Sequence, residues 1–214
     1  MIAALSLMKR RADISVEAFR KHWLDPHGVM TAELPGVRRY VQSHCIASPS
    51  ANALAGKLDI IGFAELWFDD TEARRIAYTS PRIAECNIDS EQFIGAVTRL
   101  VTEPKQIIRP PSLGHPAKAI LVATGASDPA WAGATEALAT QLPGVVGYLG
   151  HRLLEQAAAP NSRIEEFKLV VAGVAEVWFE SEARLRHGVA ALANATGAAA
   201  DRVAIYAVED FLLV

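Results

Sequence analysis

The chain has 214 residues, 51% hydrophobic and 21% charged, with a formal net charge of −3. That composition is globular, and the length suits one large domain or two small ones. No basic run or aromatic–basic interleaving offers a footprint for nucleic acid, and no stretch approaches the roughly 20 apolar residues of a membrane span. Cys45 and Cys86 fit neither a disulfide framework nor a metal-ligand spacing, as expected of reduced thiols in a cytoplasmic protein.

"MIAALSLMKRR" puts its charges after its apolar run, the reverse of a signal peptide, and reads as a first strand. Ser15 is placed to N-cap a helix from Val16 through Leu24. Pro26 disfavours helical geometry at Asp25 and has no N–H, so the helix should kink or end there. "LPG" at Leu34 then turns the chain into a second strand, "VRRYVQSHC". A third strand, "IIGFAELWF", a helix starting near Asp69 and a last strand near "VTEPKQII" follow. The order returns in the second half. "KAILVAT" is followed by a helix begun by Asp128 and Pro129, by "VVGYLGHRL" and by "VAGVAEVWF". A helix near Glu180 and "AIYAVEDFLLV" close the chain.

Repeated blocks underlie that echo. "LPGVRRYVQSH" from Leu34 returns as "LPGVVGYLGHR" from Leu142, an offset of 142 − 34 = 108; "GFAELWF" from Gly62 returns as "GVAEVWF" from Gly173, an offset of 173 − 62 = 111. Two blocks in the same order point to an internal duplication. The expected organisation is an α+β fold with one β-α-β-β-α-β, ferredoxin-like unit over 1–108, a Pro- and Gly-rich linker over 109–116, and a second, degenerate unit over 117–214. Their antiparallel sheets would pack face to face as an intramolecular barrel.

The repeat also acts as an internal control. At the 108 offset Trp23 meets Trp131 and Tyr40 meets Tyr148, whereas His22, His27 and His44 meet Ala130, Thr135 and Arg152, and Asp25 meets Gly133. Packing positions persist and the histidines do not. This points to a constellation of His22, His27 and His44 in the first unit, with Asp25 orienting an imidazole and Tyr40 donating to a bound oxygen. His22 and His27 are five apart, not the i, i+4 of two ligands on one helical face, so no metal site is expected. Without G-x-G-x-x-G, a P-loop or G-x-S-x-G, neither a nucleotide cofactor nor a serine nucleophile is supported. Glu65 and Glu176 share a strand face with Trp67 and Trp178; their presence in both halves favours a structural role. Trp23, Glu65 and Trp67 are the candidate substrate contacts.

"F-x-x-H-W-x-x-x-H", "LPG-x-x-x-Y-V-x-x-H" and "G-x-A-E-L-W-F", in that order, resemble the EthD-like family of the dimeric α+β barrel superfamily over most of residues 3–108. The resemblance implies a barrel of two ferredoxin-like units, usually two chains and here two halves of one, with a pocket between each sheet and its helices. Members were first linked to ether degradation, and some fungal relatives are regarded as dehydratases or decarboxylases of aromatic polyketides. The expected activity is a cofactor-independent lyase or isomerase that uses histidine acid–base chemistry on a small apolar carbonyl compound, aromatic ones included. The alternatives are a non-catalytic binding or accessory protein for a hydrophobic metabolite in a degradation pathway, and a haem- or metal-dependent oxygenase. The expected partner is a small hydrophobic molecule. The halves would form a pseudo-dimer, with free sheet edges leaving a homodimer open.

Overall fold

Along the first strand, successive side chains bury to opposite sides. Ala4 and Met8 join an apolar cluster with Phe19 and Trp23, while Leu5 and Leu7 join another with Phe63, Ile120 and Tyr206. Such a strand has helices on one face and the opposite wall of a barrel on the other. The computed structural model describes residues 1–46, 52–112, 117–125, 136–137, 140–156, 162–195 and 202–214. Its main strands are β1 (Ile2–Arg10), β2 (Arg39–Cys45), β3 (Gly62–Phe68), β4 (Ile94–Ile108), β5 (Lys118–Thr124), β6 (Val145–Gln156), β8 (Val171–Phe179) and β9 (Val203–Leu212); a two-residue β7 (Glu165–Glu166) lies parallel to β4.

Around the barrel the strands run β1-β3-β2-β9-β5-β8-β6-β4 and close back on β1, each pair antiparallel. Face-to-face packing is therefore an incomplete description. The halves are also hydrogen-bonded edge to edge, through β2 with β9 (Val41 opposite Leu212) and β4 with β6 (Leu100 opposite Gln156). Closure leaves no buried edge with unpaired N–H and C=O groups. Pro104 sits inside β4 because β1 stops pairing at Thr102, so the residues beyond it have one free flank.

The helices of the first half cover the outer face of its strands. Ser15 accepts from the Ala18 N–H at 3.0 Å and caps α1 (Val16–His22), as its position predicts. At Pro26 the helix neither stops nor simply kinks. It passes through a π turn, Trp23–His27, and resumes as α2 (Gly28–Ala32). Proline withdraws the N–H that would close an i→i−4 bond, and the wider π register accommodates that loss. A short α3 (Ala53–Leu58) was not expected; α4 (Thr71–Tyr78) and α5 (Pro81–Ser90) stand where one helix was, capped by Asp70 and Ser80. In the second half α6 (Glu182–Ala195) packs on Phe179. The expected helix start at Asp128 and Pro129, the counterparts Ala130, Trp131, Gly133 and Thr135, and linker residues 113–116 lie outside the described residues. Among the described residues no helix is long and apolar enough to cross a membrane.

Candidate functional site

Phe19, Trp23, His27 and Thr31 are all buried, at steps of four. In an unbroken α-helix each such step drifts by about 40°, so the fourth residue would rotate off the sheet-facing side. The π turn takes up that drift. It also solves the geometry of the histidine pair: five residues span about 140° of excess rotation on an α-helix, yet His22 and His27 reach the same carboxylate. His22 Nε2 lies 3.0 Å from Asp89 Oδ1, and His27 Nδ1 lies 2.8 Å from Asp89 Oδ2. Both imidazoles also rest on the Phe93 ring, with centroids 4.9 Å away.

Asp89 comes from the end of α5, 62 residues beyond His27. The His27 hydrogen bond, joined by that of His22, holds its carboxyl below the ordinary range against the opposing effect of burial. An ionised Asp89 accepts from both rings. His27 then carries its proton on Nδ1 and keeps Nε2 as a lone pair, the orientation that makes an imidazole a base. Asp25, the expected orienting group, is exposed on the π turn and makes no hydrogen bond to either ring. Asp89 occupies that role.

His27 lines a half-open pocket of about 60 Å³, together with Trp23, Thr31, Tyr40, Tyr78 and Asn87. Tyr40 is fully buried, and burial raises its hydroxyl pKa above the usual tyrosine value. Its oxygen accepts from Gln42 Nε2 at 2.8 Å, and the Trp23 and Thr31 side chains also hydrogen-bond with it. The same Gln42 nitrogen reaches the Trp23 carbonyl at 2.7 Å, and Gln42 Oε1 lies 3.0 Å from His44 Nε2. His44 therefore connects to Tyr40 only through Gln42. It stacks flat on Trp23 (4.3 Å, 9°), lines a separate open groove beside Arg20 and Phe211, and is held neutral by burial and then Arg20, with its pKa lowered to about 4. Gly62 makes room for this stack, since a Cβ there would lie 2.4 Å from the Trp23 ring.

Glu65 and Trp67 stand on the other face of β3, inside the barrel, so the sheet separates them from Trp23 and the cavity. Trp67 Nε1 donates to Glu65 Oε1 at 2.5 Å. Around Glu65 lies a second ionisable cluster. Glu176 contacts Lys118 Nζ at 2.5 Å and His151 Nε2 at 2.7 Å, and Lys118 reaches Asp210 at 2.8 Å. Of the first-unit candidates, then, the structure brings together His22, His27, Trp23 and Tyr40. It sets His44 one residue back, turns Asp25 outward, and moves Glu65 and Trp67 to the lumen. Asp89, Gln42, Lys118, His151 and Asp210 were not anticipated. Asp89 had one usable signal: an acidic residue on the second helix of a unit whose first helix carries two histidines.

A closed antiparallel barrel of eight strands with helices on its outer face defines an α+β barrel protein of the dimeric-barrel type. The EthD domain model matches residues 11–96, the segment that carries the histidine pair, Tyr40 and Asp89, so the first half carries an EthD domain. Among solved structures, an anthrone oxidase-like protein superposes with a TM-score of 0.63 at 11% identity, over 99% of this chain and 93% of the other. A candidate monooxygenase from Fusobacterium nucleatum superposes with a TM-score of 0.58 at 6% identity, over 100% and 92%. An EthD family protein from Bacillus halodurans C-125 is 22% identical, covering 48% of this chain and 97% of its own, with a TM-score of 0.41. No curated protein matches the chain.

Proposed function

We propose that the first half is a cofactor-independent acid–base catalyst, a lyase or isomerase, acting on a small carbonyl compound. The observation that carries this reading is a single carboxylate, Asp89, gripping His22 and His27 beside a cavity that also holds the Tyr40 hydroxyl. His27 Nε2 takes a proton from the carbon next to the carbonyl, and the C–H electron pair moves into an enolate. The Tyr40 O–H donates to the enolate oxygen, a fixed donor placed where charge develops. The His27 imidazolium then returns the proton to another carbon, giving an isomer, or protonates a departing hydroxide as water, giving a dehydrated product. His22 is a positioning residue, sharing Asp89 and bracing His27 against Phe93.

The cavity is far below the ~300–1,000 Å³ of ordinary ligand sites and holds a few waters. The substrate is therefore a compound of few heavy atoms, or Tyr78 and Asn87 swing out to admit a larger one. The anthrone oxidase-like and monooxygenase-like structures share the barrel; their named activities are oxidations, whereas the reaction proposed here needs no oxidant.

The test is deuterium exchange from D₂O into small ketones such as acetone and acetylacetone, followed by NMR. Wild-type protein should accelerate exchange, and His27→Gln should lower it by about 10²–10⁴-fold. Exchange that is absent in wild type, or unchanged in the variant, removes the assignment.

We also infer that the halves are duplicated ferredoxin-like units over 1–108 and 117–214, forming a pseudo-dimer within one chain. The strand orders β4-β1-β3-β2 and β9-β5-β8-β6 have the same connectivity, and the repeated motifs fall on equivalent strands, which supports this reading.

A further inference from the structure

The geometry points to a divalent transition-metal site inside the barrel, formed by Glu65, His151 and Glu176, which no part of the helix-side reading uses. One ligand atom from each of the three lies within 4.8 Å of the others, and all three residues are buried. Two carboxylates and an imidazole form a borderline-hard donor set suited to Zn²⁺ or Mn²⁺. A tetrahedral ion needs ligand atoms about 3.4 Å apart at metal–ligand distances near 2.1 Å, a contraction that rotation of two glutamate side chains can supply.

Three further observations make this more than a cluster of acids. First, β3 and β8 lie opposite each other in the eight-strand order, so Glu65 and Glu176, equivalent positions of the repeated G-x-A-E-x-W-F motif, meet across the lumen. Second, the ligands are already oriented from behind. Thr102 Oγ1 lies 3.0 Å from His151 Nδ1, which turns Nε2 toward Glu176 Oε1 and the site, and the Trp67 indole holds Glu65 Oε1. Third, the carboxylates outnumber the lysine: Glu65, Glu176 and the part-buried Asp210 share Lys118, with Arg39 and His151 also acting on Glu65. Lys118 takes Glu176 Oε2 and Asp210, while Glu176 Oε1 meets His151 Nε2 at 2.7 Å, a contact that an ion seated between them and Glu65 would replace. An ion there would compete with protons for its ligands and staple opposite barrel walls from both halves, with affinity rising with pH.

The probe is Zn²⁺ alone, titrated into metal-stripped full-length protein by calorimetry at pH 6 and pH 8, with thermal unfolding followed in parallel. The expected result is one equivalent bound, more tightly at pH 8, with a raised Tm. Glu65→Gln, which keeps an acceptor for Trp67, should fold and lose more than about 100-fold in affinity; Thr102→Val, which frees His151, should lose about 10–100-fold. His27→Gln should bind as wild type does. Absence of stoichiometric binding overturns the proposal, as does binding lost in His27→Gln but kept in Glu65→Gln, which would place the ion on the helix side. Should Glu65→Gln fail to fold, Thr102→Val with unchanged affinity overturns it equally.

Discussion

The helix-side site and the barrel lumen use the two faces of the same strands, and their buried ionisable groups are arranged to opposite ends. On the helix side one carboxylate serves two imidazoles, and His27 keeps a lone pair facing no described partner. In the lumen the Lys118 and His151 nitrogens are engaged. Lys118 contacts Glu176, Asp210 and the Ser43 hydroxyl, and His151 contacts Glu176 and Thr102. A buried ion with every donor used holds walls together. A ring with one nitrogen fixed and the other free can exchange a proton. The contrast also changes the picture of the second half. Its strands supply Lys118, His151, Glu176 and Asp210, so the half without the helix-side histidines carries most of the charge at the centre of the molecule.

The strongest way to break this contrast is to remove the lumen cation. Lys118→Met leaves Glu176 and Asp210 facing each other in a dry interior, and should cost about 3–5 kcal/mol of stability. Urea unfolding measures it. A loss below about 1 kcal/mol would mean that water reaches the cluster and that it does not hold the barrel.

Much of the barrel was legible because burial writes itself into short-range pattern. Strands showed as apolar runs, Ser15 and "LPG" showed as boundaries, and the repeat showed two similar halves. The candidate site was legible only on the helix that carries most of it. His22, His27 and Trp23 stood out because their motif is contiguous. Their mutual orientation did not, because it depends on a π turn that Pro26 makes available but that no periodicity announces. Asp89 was invisible for a different reason: pairing across 62 residues is decided by how α5 packs, and nothing local marks it. Asp25 was favoured by proximity in sequence, which on a helix says little about which side chain faces inward. The internal control of the repeat had the same limit. It compared His44 with Arg152 and so passed over His151, one residue away, which faces the lumen because strand neighbours point to opposite sides.

A smaller effect separates the helix side from solvent. His44 is neutral when folded, its pKa lowered to about 4 by burial and Arg20, against about 6.5 in an unfolded chain. A depressed folded pKa contributes stability that is fully present above the unfolded value. As pH falls from about 6.5 toward 4 the unfolded chain gains a proton that the folded one refuses, and stability drops, on the order of 2 kcal/mol over that window. His44→Phe keeps a ring on Trp23 and removes the proton. Its stability profile should be flatter than wild type between pH 7 and 4. An equally steep profile would assign the acid sensitivity to other groups and make His44 an ordinary exposed histidine.

The smallest effect belongs to the residue that links both regions of the argument. Glu65 lies in the lumen, yet it differs from its counterpart Glu176 in its contacts: its carboxylate accepts from the Trp67 indole, while Lys118, His151 and Arg39 act on it only through space. Burial and then the Glu176 charge push its carboxyl above the ordinary range, against the pull of His151, Lys118 and Arg39, and so favour its protonated form more than for an exposed glutamate. A protonated carboxyl and a primary amide present the same pattern, one oxygen to accept from Trp67 and one donor toward Glu176. Glu65→Gln should therefore change metal-free stability at pH 7 by less than about 1 kcal/mol, whereas Lys118→Met in the same cluster changes it several-fold more. The two substitutions differ in whether they remove a charge the fold relies on. If Glu65→Gln instead destabilises the protein as much as Lys118→Met does, Glu65 is ionised in the resting protein and the lumen carries a negative charge that only a bound cation can balance.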